Sequence, residues 1–93
     1  MEASEAIRRR VVAHGQVQGV FFRAAVKERA DTYGIAGWAR NRADGSMEAC
    51  FEGPESAVQA IVSFCADGPE RARVTRLDEI EEDPQGIRGF RVR

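Results

Sequence analysis

Ninety-three residues suffice for one small domain and leave no room for two. Apolar residues make up 43% of the chain, enough for a single packed core of modest stability. With 14 basic residues against 15 acidic ones, the chain lacks the overall positive field of a general nucleic-acid binder, although a local basic site is compatible with that balance.

In chain order, Met1 to Ala6 is polar and expected to fray, and "RRRVVAH", Arg8 to His14, ends in a β-branched pair and reads as a strand. "GQVQGVF" follows as a loop with two glycines. From Phe22 the spacing changes: Phe22, Ala25, Val26, Ala30 and Tyr33 fall at helical intervals, with charged residues between them. Gly34 is placed to end that helix in a left-handed cap. "IAGWARN", Ile35 to Asn41, reads as a second strand. Asp44-Gly45 signals the turn of a hairpin. Its second arm, "MEACFEG", alternates Met47, Ala49 and Phe51 with Glu48, Cys50 and Glu52.

Gly53-Pro54 opens a second helix, because proline suits the first helical position, where no amide donor is needed. Ala57, Val58, Ile61, Val62, Phe64 and Cys65 supply its apolar stripe, and Gly68-Pro69 stops it. "ARVTRLDEI", Ala72 to Ile80, is a strand of less clear register. "EEDPQGIR" reads as an acidic turn or loop, and "GFRVR" closes the chain as a short strand with Phe90 and Val92 on one face.

The cysteines, Cys50 and Cys65, form no CxxC pair, and one histidine cannot complete a zinc site with them. They read as buried small apolar residues, with a disulfide left open. "MEASEAI" has no basic-then-apolar signal pattern, and no apolar run approaches the roughly 18 residues of a membrane span. A cytoplasmic protein without membrane attachment is the expectation.

Two helices with one apolar stripe each, and strands needing one covered face, make a two-layer α+β sandwich. The order βαββαβ with an extra C-terminal strand points to the split-βαβ, ferredoxin-like arrangement with a mainly antiparallel sheet. In it the third strand lies between parallel strands 1 and 2. The glycine loop after strand 1 and Asn41 at the end of strand 2 then share one edge of the sheet, roughly 10 Å apart at the backbone.

That edge has the makings of an anion site. Gln16, Val17, Gln18, Gly19, Val20, Phe21 and Phe22 run directly into a helix N-terminus, where amides lack intrahelical partners and the dipole favours negative charge. Gly15 and Gly19 let the backbone fold around an oxyanion. Arg23, in the first helical turn, works against the dipole but offers a planar fork matched to phosphate or carboxylate. The loop is neither a Walker loop nor a GxGxxG dinucleotide fingerprint. On these residues alone, a structural turn with a solvated arginine stands beside the anion site.

"GQVQGVFFR" resembles the phosphate-binding signature G-x-V-Q-G-V-x-F-R of the acylphosphatases. "GWARNRADGSMEACFEG" resembles their second signature, G-W/Y-x-R/K-N-x-x-D-G-x-V-E. The likeness runs in order from about Ile7 to Arg93, with mild departures at Ala39 and Met47. It implies the ferredoxin-like fold and hydrolysis of a small-molecule acyl phosphate to a carboxylate and inorganic phosphate, with no metal or cofactor. It also implies that Arg23 binds the phosphoryl group, that Asn41 orients the attacking water and that the loop amides from Gln16 to Phe22 hold the phosphoryl oxygens. Inorganic phosphate is then product and inhibitor, no nucleic acid is involved, and a monomer is the simplest state.

Other residues read more plainly. His14 is a solvated or locally bonded histidine, with no acid partner nearby in sequence. Glu48 and Glu52 read as a solvent face, Arg8 to Arg10 as the solvated start of a strand, and Glu79, Glu81, Glu82 and Asp83 as a solvated acidic loop. Trp38 and Phe51 are core candidates. RNA-binding modules of this fold stack bases on aromatics of strands 1 and 3, and Val11 to His14 contains none. Two alternatives to an acyl phosphate hydrolase remain. One is a relative acting on carbamoyl phosphate, as in the N-terminal domain of hydrogenase maturation proteins, which continue into cysteine-rich segments. The other is a non-enzymatic anion-binding module, which would have no need of Asn41.

Overall fold

The computed structural model of the chain describes residues 6–93. Seven elements follow in order: β1 (Ala6–Gln16), α1 (Phe22–Tyr33), β2 (Ala36–Asn41), β3 (Met47–Pro54), α2 (Glu55–Asp67), β4 (Arg73–Glu82) and β5 (Phe90–Val92). The five strands form one sheet in the order β4-β1-β3-β2-β5. β3 pairs antiparallel with both β1 and β2, so β1 and β2 run parallel to each other, and only β5 is parallel to its direct neighbour, β2. This is the expected ferredoxin-like sandwich. Ala6 opens β1, and the expected fraying of residues 1–5 lies outside the described residues.

Strand alternation decides which side chains meet the helices. Val11 and Ala13 of β1 sit opposite Ala49 and Met47 of β3, and all four are fully buried. Phe22, Val26 and Ala30 of α1 and Val58, Ile61, Val62 and Cys65 of α2 close over them. Phe51 stacks on Phe90 at 5.8 Å between ring centroids, and Phe22 meets Phe64 edge-on at 6.3 Å. Tyr33, in the last turn of α1, stays 41% exposed despite its helical spacing. Gly34 adopts the left-handed cap (φ 70°), and the amide of Ile35 reaches back to the Ala30 carbonyl at 2.8 Å. Gly68 ends α2 with its amide on the Phe64 carbonyl at 2.7 Å. Pro54 falls one place earlier than expected. It is the last residue of β3 and caps α2 in an extended conformation that its fixed φ also suits, leaving Glu55 as the first helical residue.

The unclear register of β4 has a structural cause. His14 pairs with Arg76 and Gly15 with Val74, so Thr75 is an extra, bulged residue. The bulge lets Val74 and Leu77, three apart, both pack against the core. It also requires glycine at position 15, where φ is 121° and a Cβ would run into the Arg73 carbonyl.

The face of the sheet away from the helices corrects several sequence expectations. Glu48 and Glu52 are not a solvent face: their side chains are 5% exposed. Both lie on the central strand, beneath the long arms of arginines from neighbouring strands. Arg10 and Arg40 bind Glu48 at 2.9 and 2.7 Å, and Arg8 binds Glu52 at 3.1 Å. The amides of Gln85 and Gly86 also donate to Glu52, at 3.0 and 2.6 Å. Arg8 to Arg10 is therefore not a solvated strand start, and Arg8 is buried. Nor are Glu79, Glu81 and Glu82 loop residues. They belong to β4, where Glu82 holds Arg8 and Arg10 on this face, while Glu79 and Glu81 flank Arg9 on the opposite one. Trp38 is on this face, not in the core: it lies opposite Cys50, half-buried, with the Arg93 guanidinium 4.6 Å from its ring centroid.

Cys50 and Cys65 are buried free thiols. Cys50 sits on the open face of β3, whereas Cys65 is in the core on α2, so the sheet separates them. Burial raises both thiol pKa values, Cys50 to about 11 and Cys65 to about 12, which keeps them protonated and unreactive. No helix among the described residues is long and apolar enough to cross a membrane.

Candidate active site

The loop from Val17 to Phe21 links the bulged end of β1 to α1 at the sheet edge where β2 also ends. Its last residue, Phe21, is a left-handed N-cap (φ 60°, ψ 27°), and its carbonyl accepts from the Ala25 amide at 3.0 Å. α1 has no side-chain cap and no acid in its first turn, whereas α2 begins with Glu55. Among the described residues, none accepts a hydrogen bond from the amides of Gln18 to Phe22. The N-terminus of α1 therefore offers free donors and the positive end of a helix dipole.

A cavity of about 590 Å³ opens at this end. Val17, Gly19, Phe21, Phe22, Arg23 and Asn41 all line it. The structure thus brings Arg23 and Asn41, 18 positions apart in the numbering, to one recess. Gln16, Gln18 and Val20 do not line it: Gln16 is still in β1, opposite Arg73. His14 points to the other side of the sheet, where its Nε2 lies 2.9 Å from an Asp78 oxygen, an acid 64 positions away in sequence. It has no place in the cavity.

Each key side chain is positioned by the fold. Asn41 pairs with the buried Met47 at the end of β2 and so faces the helix layer. Its Oδ1 is buried without a hydrogen-bond partner in the protein. A buried acceptor left open in this way carries a desolvation cost that a ligand or water can relieve. The Arg23 guanidinium donates from Nη1 to the Arg93 carbonyl at 2.6 Å. Residue 93 is held in turn by its amide on the Ala39 carbonyl at 2.8 Å, which ties Arg23 to the β2 edge.

Three features of the site escaped the sequence reading. Gln18 acts through its side chain: Nε2 donates to the carbonyls of Arg42 and Ser46 at 2.8 and 3.1 Å. These bonds pin the loop to the turn that follows Asn41. The pairing crosses 24 and 28 sequence positions, and no local pattern signals it. Val92 from β5 and Lys27 from α1, the latter 2.7 Å from Asp31, complete the cavity wall.

Fold and cavity together define an α+β sandwich with a pocket at a helix N-terminus that is lined by Arg23 and Asn41. The acylphosphatase family model matches residues 9–92. An acylphosphatase of Haloarcula marismortui is 51% identical over 92% of this chain and 94% of its own length. Solved structures agree. An acylphosphatase from Bacillus subtilis superposes with a TM-score of 0.88 at 37% identity, covering 92% of this chain and 97% of its own. One from Coxiella burnetii gives 0.89 at 30% identity, covering 95% and 93%. The chain belongs to the acylphosphatase family, enzymes that hydrolyse acyl phosphates.

Proposed function

We propose that this chain hydrolyses acyl phosphates in the cavity between the segment Gln16–Phe22 and the end of β2, with Arg23 and the amides of that segment holding the phosphoryl group and Asn41 orienting the water. The observation that carries the reading is the Asn41 Oδ1, buried and without a partner beside free amides and a guanidinium. A pure anion binder has no use for an acceptor in that place. A water molecule donating to it would be held where it can attack a phosphorus bound at the loop.

The chemistry suits the residues. A carboxylate is a good leaving group, so a strong general acid is dispensable. The transition state of phosphoryl transfer is loose, and catalysis depends on alignment and charge stabilisation. Amides and one guanidinium supply fixed positive partners for the phosphoryl oxygens without reorganisation. The Asn41 amide is too weak a base to take a proton early, and a loose transition state needs little nucleophile deprotonation.

Purified protein is expected to hydrolyse benzoyl phosphate, with inorganic phosphate as a competitive inhibitor and no loss of rate in chelator. Inert protein over a wide range of pH and substrate concentration would remove the reading.

A further inference from the structure

Phe21 has no structural explanation within the fold. Its neighbour Phe22 is 2% exposed and anchors α1 against Phe64. Phe21 is 76% exposed, makes no ring pair among the described residues, and sits at φ 60°, a backbone region that bulky side chains avoid. Phe21 nonetheless lines the cavity that holds Arg23 and Asn41. Val92, 43% exposed, lines it too, from a different element, β5. Two of the four large apolar side chains most exposed among the described residues thus share this one recess.

We infer that Phe21 and Val92 form an acyl subsite that selects substrates with an aromatic or other bulky apolar acyl group. The inference rests on the reading of Arg23 and the loop as the phosphoryl site. With the phosphoryl group at that end, the acyl group leaves the cavity past the apolar rim, where it covers Phe21 and Val92 from water. The loop amides and Arg23 meet only the phosphoryl group, which every acyl phosphate shares, so they cannot distinguish one acyl group from another. Phe21 and Val92 can, because contact with them grows with the size and flatness of the acyl chain. Such contact is made equally in ground and transition states, so it acts on KM more than on kcat.

The test compares kcat/KM for benzoyl phosphate and acetyl phosphate, and binding of phenyl phosphate and methyl phosphate by calorimetry. Phe21→Asn removes the ring and keeps a residue that tolerates the left-handed backbone. Val92→Ser probes the other wall independently, and Phe21→Tyr restores the ring. The benzoyl-to-acetyl ratio is expected to fall about three- to tenfold in Phe21→Asn and in Val92→Ser and to persist in Phe21→Tyr, the range of one aromatic contact. The phenyl preference in binding is expected to change in parallel. An unchanged ratio in both variants, equal binding of the two phosphate esters by the wild-type chain, or loss of the preference in Phe21→Tyr as well would overturn the subsite. If the wild-type chain turns over neither acyl phosphate yet loses its phenyl preference in Phe21→Asn, the hydrolase reading falls and the subsite stands.

Discussion

Gln18 shows how much of a site can depend on one side chain that does not line its cavity. Its amide nitrogen serves two carbonyls of the β2–β3 turn, which ties the loop to the residues that follow Asn41. Replacing it with alanine removes two hydrogen bonds, one exposed and one partly buried, and the stability loss should stay within about 0.5–1.5 kcal/mol per bond. The kinetic effect should be larger in proportion, because a displacement of about 1 Å can cost on the order of a hundredfold in rate. Gln18→Ala is therefore expected to lower kcat by roughly tenfold or more with a small change in melting temperature. A large melting shift with unchanged kcat would show that the bonds serve the fold alone. Phe21 stands at the same scale, and its aromatic side chain was visible in the motif only as a variable position.

The sheet's open face is a property of elements, not of single residues. Burial alone would raise the carboxyl pKa of Glu48, but hydrogen bonds from Arg40 and Arg10 outweigh it and hold it below the ordinary value. For Glu52 the same burial is outweighed by the amides of Gln85 and Gly86 and by Arg8. Glu82 is lowered chiefly by Arg10 and Arg8. A carboxyl depressed in the folded state stabilises above its unfolded pKa, about 4.3, and that stability is lost as pH falls through the folded value. Melting temperature should be flat from neutrality to about pH 5 and then drop steadily. Glu48→Gln should destabilise at neutral pH by about 1–3 kcal/mol and flatten the acid limb. The loss should stay below the ~3–5 kcal/mol of a fully buried pair, since Arg10 and Arg40 are 32% and 48% exposed and can rehydrate. An unshifted acid limb in that variant would assign the pH dependence elsewhere.

That network also marks where the sequence stopped being legible. Helices, hairpin and caps follow from local signals: the spacing of Phe22, Val26 and Ala30, the Asp44-Gly45 turn, and Gly34. The partners of Glu48 and Glu52 do not, because Arg8 meets Glu52 across 44 positions and Glu82 across 74. Alternation correctly put Glu48 and Glu52 on the face away from the helices. It could not show that arginine arms from both flanking strands roof that face. The bulge at Thr75 likewise broke the period from which β4 was read.

For the molecule as a whole, the decisive fact is the sheet order. With β3 between β1 and β2, the loop after β1 and the last residue of β2 emerge at one edge, and a single cavity receives both Arg23 and Asn41. The motif and the place of β3 between β1 and β2 were both readable in the sequence, so the meeting of Arg23 and Asn41 at one end of the sheet was too. The cavity's rim was not, because Val92 arrives on β5 from the far end of the chain. The proposed mechanism divides labour across that cavity, with the phosphoryl group gripped from the β1–α1 side and the water held from the β2 side. The deciding experiment is steady-state hydrolysis of benzoyl phosphate, with the inhibition constant of inorganic phosphate, measured on Arg23→Gln and Asn41→Ala. Arg23→Gln is expected to lose both turnover and phosphate inhibition. Asn41→Ala is expected to lose about 10²- to 10³-fold in kcat and to keep phosphate inhibition close to that of the wild-type chain. Equal loss of phosphate binding in the two variants, or full turnover in Asn41→Ala, would contradict it.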